Sequence, residues 1–354
     1  MDIRRVFAFA AAGLLLLITG CGAPGSAKVA GEMAAPGAAP GPVWPQAPAQ
    51  ARIRYLRSFS GPGDLGISNS IFQRMADTLA GRSEEHFVRP TGVAEQNGIV
   101  YVADPGARAL WILDYAHNRA VRVDEVGGER FVSPVAVAVR ADGAVYVADS
   151  ALKKVLLVDP QGKLIQTISG DILQRPAALA FDAKNARLYV ADSVGHQVTV
   201  YSAEGELLET LGRAGTRDGE FNYPTHLALE RNGTLLVTDA LNFRIQAFDA
   251  HGPFLWKLGH NGDGSGDLAA PKGVGVDSAG HIYIVDALFD AVQIFERDGT
   301  FLLGFGEQGR QAGQFWLPGG LFINAQDQIF VADAYNRRVQ VFAGVAEAHT
   351  ESAK

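Results

Sequence analysis

Six aspartates, Asp104, Asp149, Asp192, Asp239, Asp286 and Asp333, each close a short apolar run of the form "VYVAD", "LLVTD" or "IFVAD". Carboxylates repeated so regularly suit two kinds of chemistry. They could converge on one face and collect a cation, or each could accept bonds from backbone N–H groups of the turn that it opens. The second role needs only local geometry and applies equally to every copy, so it predicts six structural turn caps and no metal. Groups for proton transfer are sparse. His226 in "YPTHLAL" stands two residues after its blade proline and Lys272 in "APKGVGV" one residue after its own, and no second His or carboxylate stands at these places in the other blades. One His makes neither a zinc ligand set nor an oriented acid–base pair. In "NGDGSGD", residues 261–267, polar side chains alternate as at the start of a calcium loop, but Lys272 stands where the twelfth-position Glu is needed. No Gly-x-Ser-x-Gly elbow and no Gly-Lys-Ser/Thr phosphate loop is present, and no cofactor is expected.

The elements that position these groups repeat. Prolines recur at Pro90, Pro134, Pro176, Pro224, Pro271 and Pro318, a period of about 45 residues, and each opens a strand of small apolar residues such as "VAVAV" or "AALAF". The aspartate runs keep the same period, and strands such as "RIQAFD" and "PFLWKLG" follow them. Six copies of a strand unit at this period predict an all-β fold, a six-bladed β-propeller, over residues 51–344. The last copy stops after "RVQVFAG" and lacks a fourth strand, whereas "RIRYLRSFS" at residues 52–60 has the pattern to supply it. The ring is therefore expected to close by pairing its N-terminal strand with the last blade, which removes exposed sheet edges. Within residues 68–80, Ile71, Phe72, Met75 and Leu79 are spaced for a short helix.

Outside the repeats, Arg4 and Arg5 precede the apolar run from Val6 to Ile18, which suits a signal peptide over residues 1–20. Cys21, the single cysteine among 354 residues, follows at once. "ITGC" resembles the bacterial lipobox, which implies cleavage before Cys21, lipidation of its thiol and attachment to a membrane of the cell envelope. Residues 21–50 hold the lipidated cysteine and a Pro/Ala/Gly-rich tether, and residues 345–354 form a C-terminal tail. With one cysteine the exported domain has no internal disulfide. The net charge of -7 argues against a sequence-independent grip on nucleic acid.

Strands and connectors together carry a family resemblance. Asp239, Asn242, Arg244, Gln246 and Phe248 form one full copy of a motif, and Asp333, Asn336, Arg338, Gln340 and Phe342 form another. The connectors Gly212–Gly215–Gly219–Phe221–Pro224 and Gly306–Gly309–Gly313–Phe315–Pro318 complete it. The unit resembles the NHL repeat of six-bladed propellers over about residues 52–344. That resemblance implies the fold and leaves the function open, since such propellers include enzymes, sensors and protein-binding scaffolds. Five residues past the aspartates stand Ala109, Lys154, Gln197, Arg244, Ala291 and Arg338, so an Asp/Arg pair is available in only some blades. The expected function is a non-catalytic binding or scaffolding module for a protein or peptide partner in the cell envelope. Its expected contact residues are Phe221, Tyr223, Phe315 and Trp316 as apolar anchors, with Arg244, Arg337 and Arg338 as charged ones. Burial of Phe221 and Phe315 between blades is the competing expectation for those two. The competing function is a metal-dependent lyase or hydrolase centred on His226 and Lys272, as in the propeller lyases and lactonases.

Overall fold

A computed structural model describes residues 41–67, 85–250 and 252–345 of the chain. The signal peptide, Cys21, the helix expected over 68–80 and most of the tether and tail lie outside the described residues. Hydrophobic alternation and the Gly-bearing turns fold the described chain into six antiparallel sheets arranged as propeller blades, with one further two-stranded hairpin, Glu125–Val126 with Glu129–Arg130, between the first two. In blade 4, for example, Pro224–Leu229, Leu235–Asp239, Arg244–Phe248 and Phe254–Leu258 pair in chain order. The first strands of successive blades contact one another in order, and that of the last blade contacts that of the first, so the six close into a ring.

The strands differ because their surroundings differ. Second strands such as Val145–Asp149 are buried along their whole length and are correspondingly Val-, Tyr- and Ala-rich. Fourth strands alternate, as in Phe254–Leu258, with one side facing water. First strands crowd the axis, and a Cβ on Gly92 would stand 2.7 Å from the Val135 carbonyl oxygen of the next blade, so only glycine fits. Tyrosines of the second strands tie neighbouring blades together. The Tyr101 hydroxyl donates to the Gly143 carbonyl at 3.1 Å, and the Tyr189 hydroxyl donates to that of Ala250 at 3.2 Å.

Ring closure follows the sequence pattern. Strand β2 (Ile53–Phe59) pairs with the last strand, Arg338–Gly344, and completes blade 6. A further strand, β1 (Val43–Trp44), pairs outside β2 and gives this blade five strands. The tether therefore stops short of residue 50. Its last residues are held because the Trp44 ring packs 5.7 Å from that of Phe305 and 5.8 Å from that of Phe342. A two-residue strand in proline-rich sequence carries no periodicity by which to recognise it.

Candidate functional site on the aspartate-turn face

All six repeated aspartates are fully buried. Asp104 accepts the backbone N–H groups of Val88 at 2.7 Å, Arg89 at 2.9 Å and Ala107 at 2.9 Å. Asp286 does the same for Ala269, Ala270 and Leu288, and Asp149 for Val132, Ser133 and Leu152. Asp192 holds the amides of Gln174, Arg175 and Gly195. Each carboxylate thus clips the segment entering the first strand to the turn leaving the second. Committed in this way, the six do not converge, and among the described residues no three His, Cys, Asp or Glu side chains are grouped so as to hold a metal ion.

In blades 4 and 6 the clip is reinforced by the rest of the motif. The Arg244 Nε donates to Asp239 at 2.8 Å, and its Nη2 donates to the carbonyls of Arg217 and Glu220. Asn242 and Gln246 donate to the same carboxylate. Arg338 repeats the pattern on Asp333 and reaches the carbonyls of Arg310, Gln311 and Gln314. Arg244 and Arg338 are therefore internal struts that fix connectors, and their forked donors are already used. Phe221 and Phe315, both expected as surface anchors, are also internal. Their connectors fold back so that each ring lies against a glycine, Gly212 for Phe221 and Gly306 for Phe315, where any Cβ would collide. Tyr223 is half-buried, has φ of 64°, and donates its backbone N–H to His196 Nδ1 at 3.2 Å.

His226 and Lys272 lie on the contacting first strands of blades 4 and 5. Burial pushes the His226 imidazole down to about 3, and the Lys272 charge adds to the shift. Burial also lowers Lys272. His226 Nδ1 and Thr225 Oγ1 are enclosed without a hydrogen-bond partner. A neutral imidazole beside an ammonium group, with no carboxylate orienting it, is poorly placed to take up a proton in a reaction.

Trp316 and Arg337 meet at a different place. They border a cavity of about 820 Å³ formed where the last blade adjoins the first. Arg89 and Arg108 line it from blade 1, and Arg310 and Tyr335 from blade 6. The Arg310 guanidinium lies 4.9 Å from the centre of the Trp316 ring, and Tyr335 packs 5.8 Å from the same ring at 39°. The buried aspartates hold this wall, since Asp104 binds the Arg89 amide and Asp333 the Trp316 amide at 2.9 Å each. Arg108 and Arg337 occupy corresponding turn positions with φ of 51° and 58°. That position carries Lys153, His196, Phe243 and Asp290 in the other blades, so its left-handed backbone is constant and its side chain is not. Sequence reading missed Arg89, Arg108, Arg310 and Tyr335 because they become neighbours only when the ring closes.

No protein-family model and no curated protein matches the chain. Solved structures do resemble it. A virginiamycin B lyase from Staphylococcus aureus shares 11% identity at a TM-score of 0.53, over 73% of this chain and 96% of that one. A protein of unknown function from Bacteroides thetaiotaomicron shares 18% at 0.57, over 73% and 70%. An auxiliary nutrient binding protein from the same organism shares 12% at 0.56, over 73% and 69%. At such identities the likeness shows the fold. The chain is a six-bladed β-propeller whose ring is closed by N- and C-terminal strands.

Proposed function

We propose that this chain is a lipid-anchored, NHL-type propeller that works outside the cytoplasm as a binding or scaffolding module. The observation that carries this reading is the cavity between blades 6 and 1, where aromatic and arginine side chains project from a rigid, aspartate-clipped wall. Trp, Tyr and Arg are the residues that dominate binding energy at protein interfaces, because they combine large contact area with forked or directional hydrogen bonding. The surroundings of His226 support a binding role over an acid–base one. Lyase and nutrient-binding relatives on the same fold are compatible with either class.

A photo-crosslinking residue placed in living cells at Tyr335, and separately at the exposed Leu288 on the aspartate turn of blade 5, tests the reading. A discrete crosslinked protein in the membrane fraction is the expected result. Absence of any crosslink from both positions, together with tightly bound zinc that His226→Ala removes, would move the assignment to the metal-dependent enzyme.

A further inference from the structure

Nine arginines among the described residues have acidic partners. Arg187 pairs with Glu209, Arg297 with Glu230, Arg140 with Asp142, and Arg213 and Arg217 both with Glu220. Arg89, Arg108, Arg310 and Arg337 do not. Among the described residues none of the four has a carboxylate within salt-bridge distance, and no acidic side chain lines their cavity. Four unpaired guanidinium groups thus gather around one concavity in a chain whose net charge is -7. Their mutual repulsion is a standing cost that a bound anion would offset.

We infer that this cavity binds an acidic peptide segment, with the guanidinium groups of Arg89, Arg108, Arg310 and Arg337 receiving its carboxylates and the Trp316–Tyr335 pair receiving an apolar side chain. This rests on the binding-module reading and names its ligand class. The volume of about 820 Å³ suits a ligand of a few residues. Arginines contributed by two blades can meet carboxylates on alternate residues of an extended chain, each through paired N–H donors. An anionic saccharide fits less well. Its hydroxyl protons need acceptors, yet the side chains around the cavity offer only the Tyr335 hydroxyl and Asn336, whose amide nitrogen is bound to Gly309 and Asp333.

The test is calorimetric titration of the full chain in non-ionic detergent with the hexapeptide acetyl-Glu-Phe-Glu-Glu-Phe-Glu-amide. Its lysine counterpart, trigalacturonate and inorganic phosphate serve as competing probes. The acidic peptide is expected to bind and the lysine peptide not. Arg310→Ala with Arg337→Ala, and Arg89→Ala with Arg108→Ala, should each weaken binding by about tenfold or more. Arg130→Ala, which removes an exposed arginine remote from the cavity lining, should leave it unchanged. Circular dichroism of each variant establishes that it is folded. Tighter binding of trigalacturonate or phosphate than of the peptide would overturn the assignment, as would peptide affinity indifferent to the four arginines. If the peptide fails to bind while Tyr335 or Leu288 still crosslinks to an envelope protein, the ligand class falls and the binding module stands. If neither occurs, both fall.

Discussion

At the residue scale, one side chain type performs the same task with different support from blade to blade. Asp286 accepts only backbone N–H groups, whereas Asp239 also neutralises Arg244, which is itself buried. Asp286→Ala should therefore cost about 2 kcal/mol, the penalty for leaving buried donors unmet. Asp239→Ala should cost more, about 3 kcal/mol, because it takes the nearest carboxylate from a buried guanidinium and leaves it only the more distant, half-exposed Asp218. Urea unfolding of the two variants checks the order, and equal losses would mean that Arg244 contributes nothing through its carboxylate. His226 provides a second case. An imidazole in the unfolded chain titrates near 6.5, but in the fold it stays neutral down to about 3. Between those values the unfolded state binds a proton that the folded state refuses, so stability falls as pH falls through the window. His226→Gln should lose less stability than the parent between pH 7 and pH 4, and parallel profiles would contradict a neutral, desolvated imidazole.

At the element scale, what was legible in the chain was whatever a strand or turn encodes by itself. The prolines, the "YVAD" runs and the alternation of 52–60 each state a local preference, and together they specify six blades and the closing strand. Contacts between blades left no such mark. The Tyr101 and Tyr189 hydroxyls reach carbonyls of the next blade, and Phe221 and Phe315 turn inward because their connectors fold back so that Gly212 and Gly306 leave room for the rings, a fold the spacing alone does not state. The same holds for β1, where pairing and the Trp44 contacts, not periodicity, hold two residues in place. Trp44→Ala should accordingly destabilise the domain by about 2 kcal/mol, roughly half the usual penalty for emptying a buried aromatic site because Trp44 is half-buried. Deletion of residues 51–60 should be far more damaging, since it bares the ladder edge of Arg338–Gly344 and invites sheet-to-sheet association. Thermal melts and light scattering separate the two. A monomeric deletion variant that melts like the parent would refute closure by β2.

At the scale of the whole molecule, the fold divides invariance from variation. The aspartate clips and axial strands recur around the ring, while the turn position held by Arg108, Lys153, His196, Phe243, Asp290 and Arg337 carries five residue types, with arginine only in the adjoining first and last blades. A rigid ring that varies only in what it presents suits a domain held at a surface and made to meet a partner there. Cys21 is the residue on which that arrangement depends in our proposal. Because β1 begins at Val43, the spacer consists of residues 22–42, and at about 3.1 Å per residue it would reach about 65 Å from the anchor when extended. Cys21→Ser should move the protein from membranes to the soluble fraction in detergent-free fractionation, without changing its melting temperature, because the blade strands are drawn from residues 43–344. Shortening the spacer by deleting residues 24–38 should also leave the melting temperature unchanged but keep the protein on the membrane, where a closer anchor would reduce crosslinking from Tyr335. A Cys21→Ser protein that remains wholly membrane-bound would remove the lipid anchor from the proposal, while the cavity and its peptide chemistry would stand on their own residues.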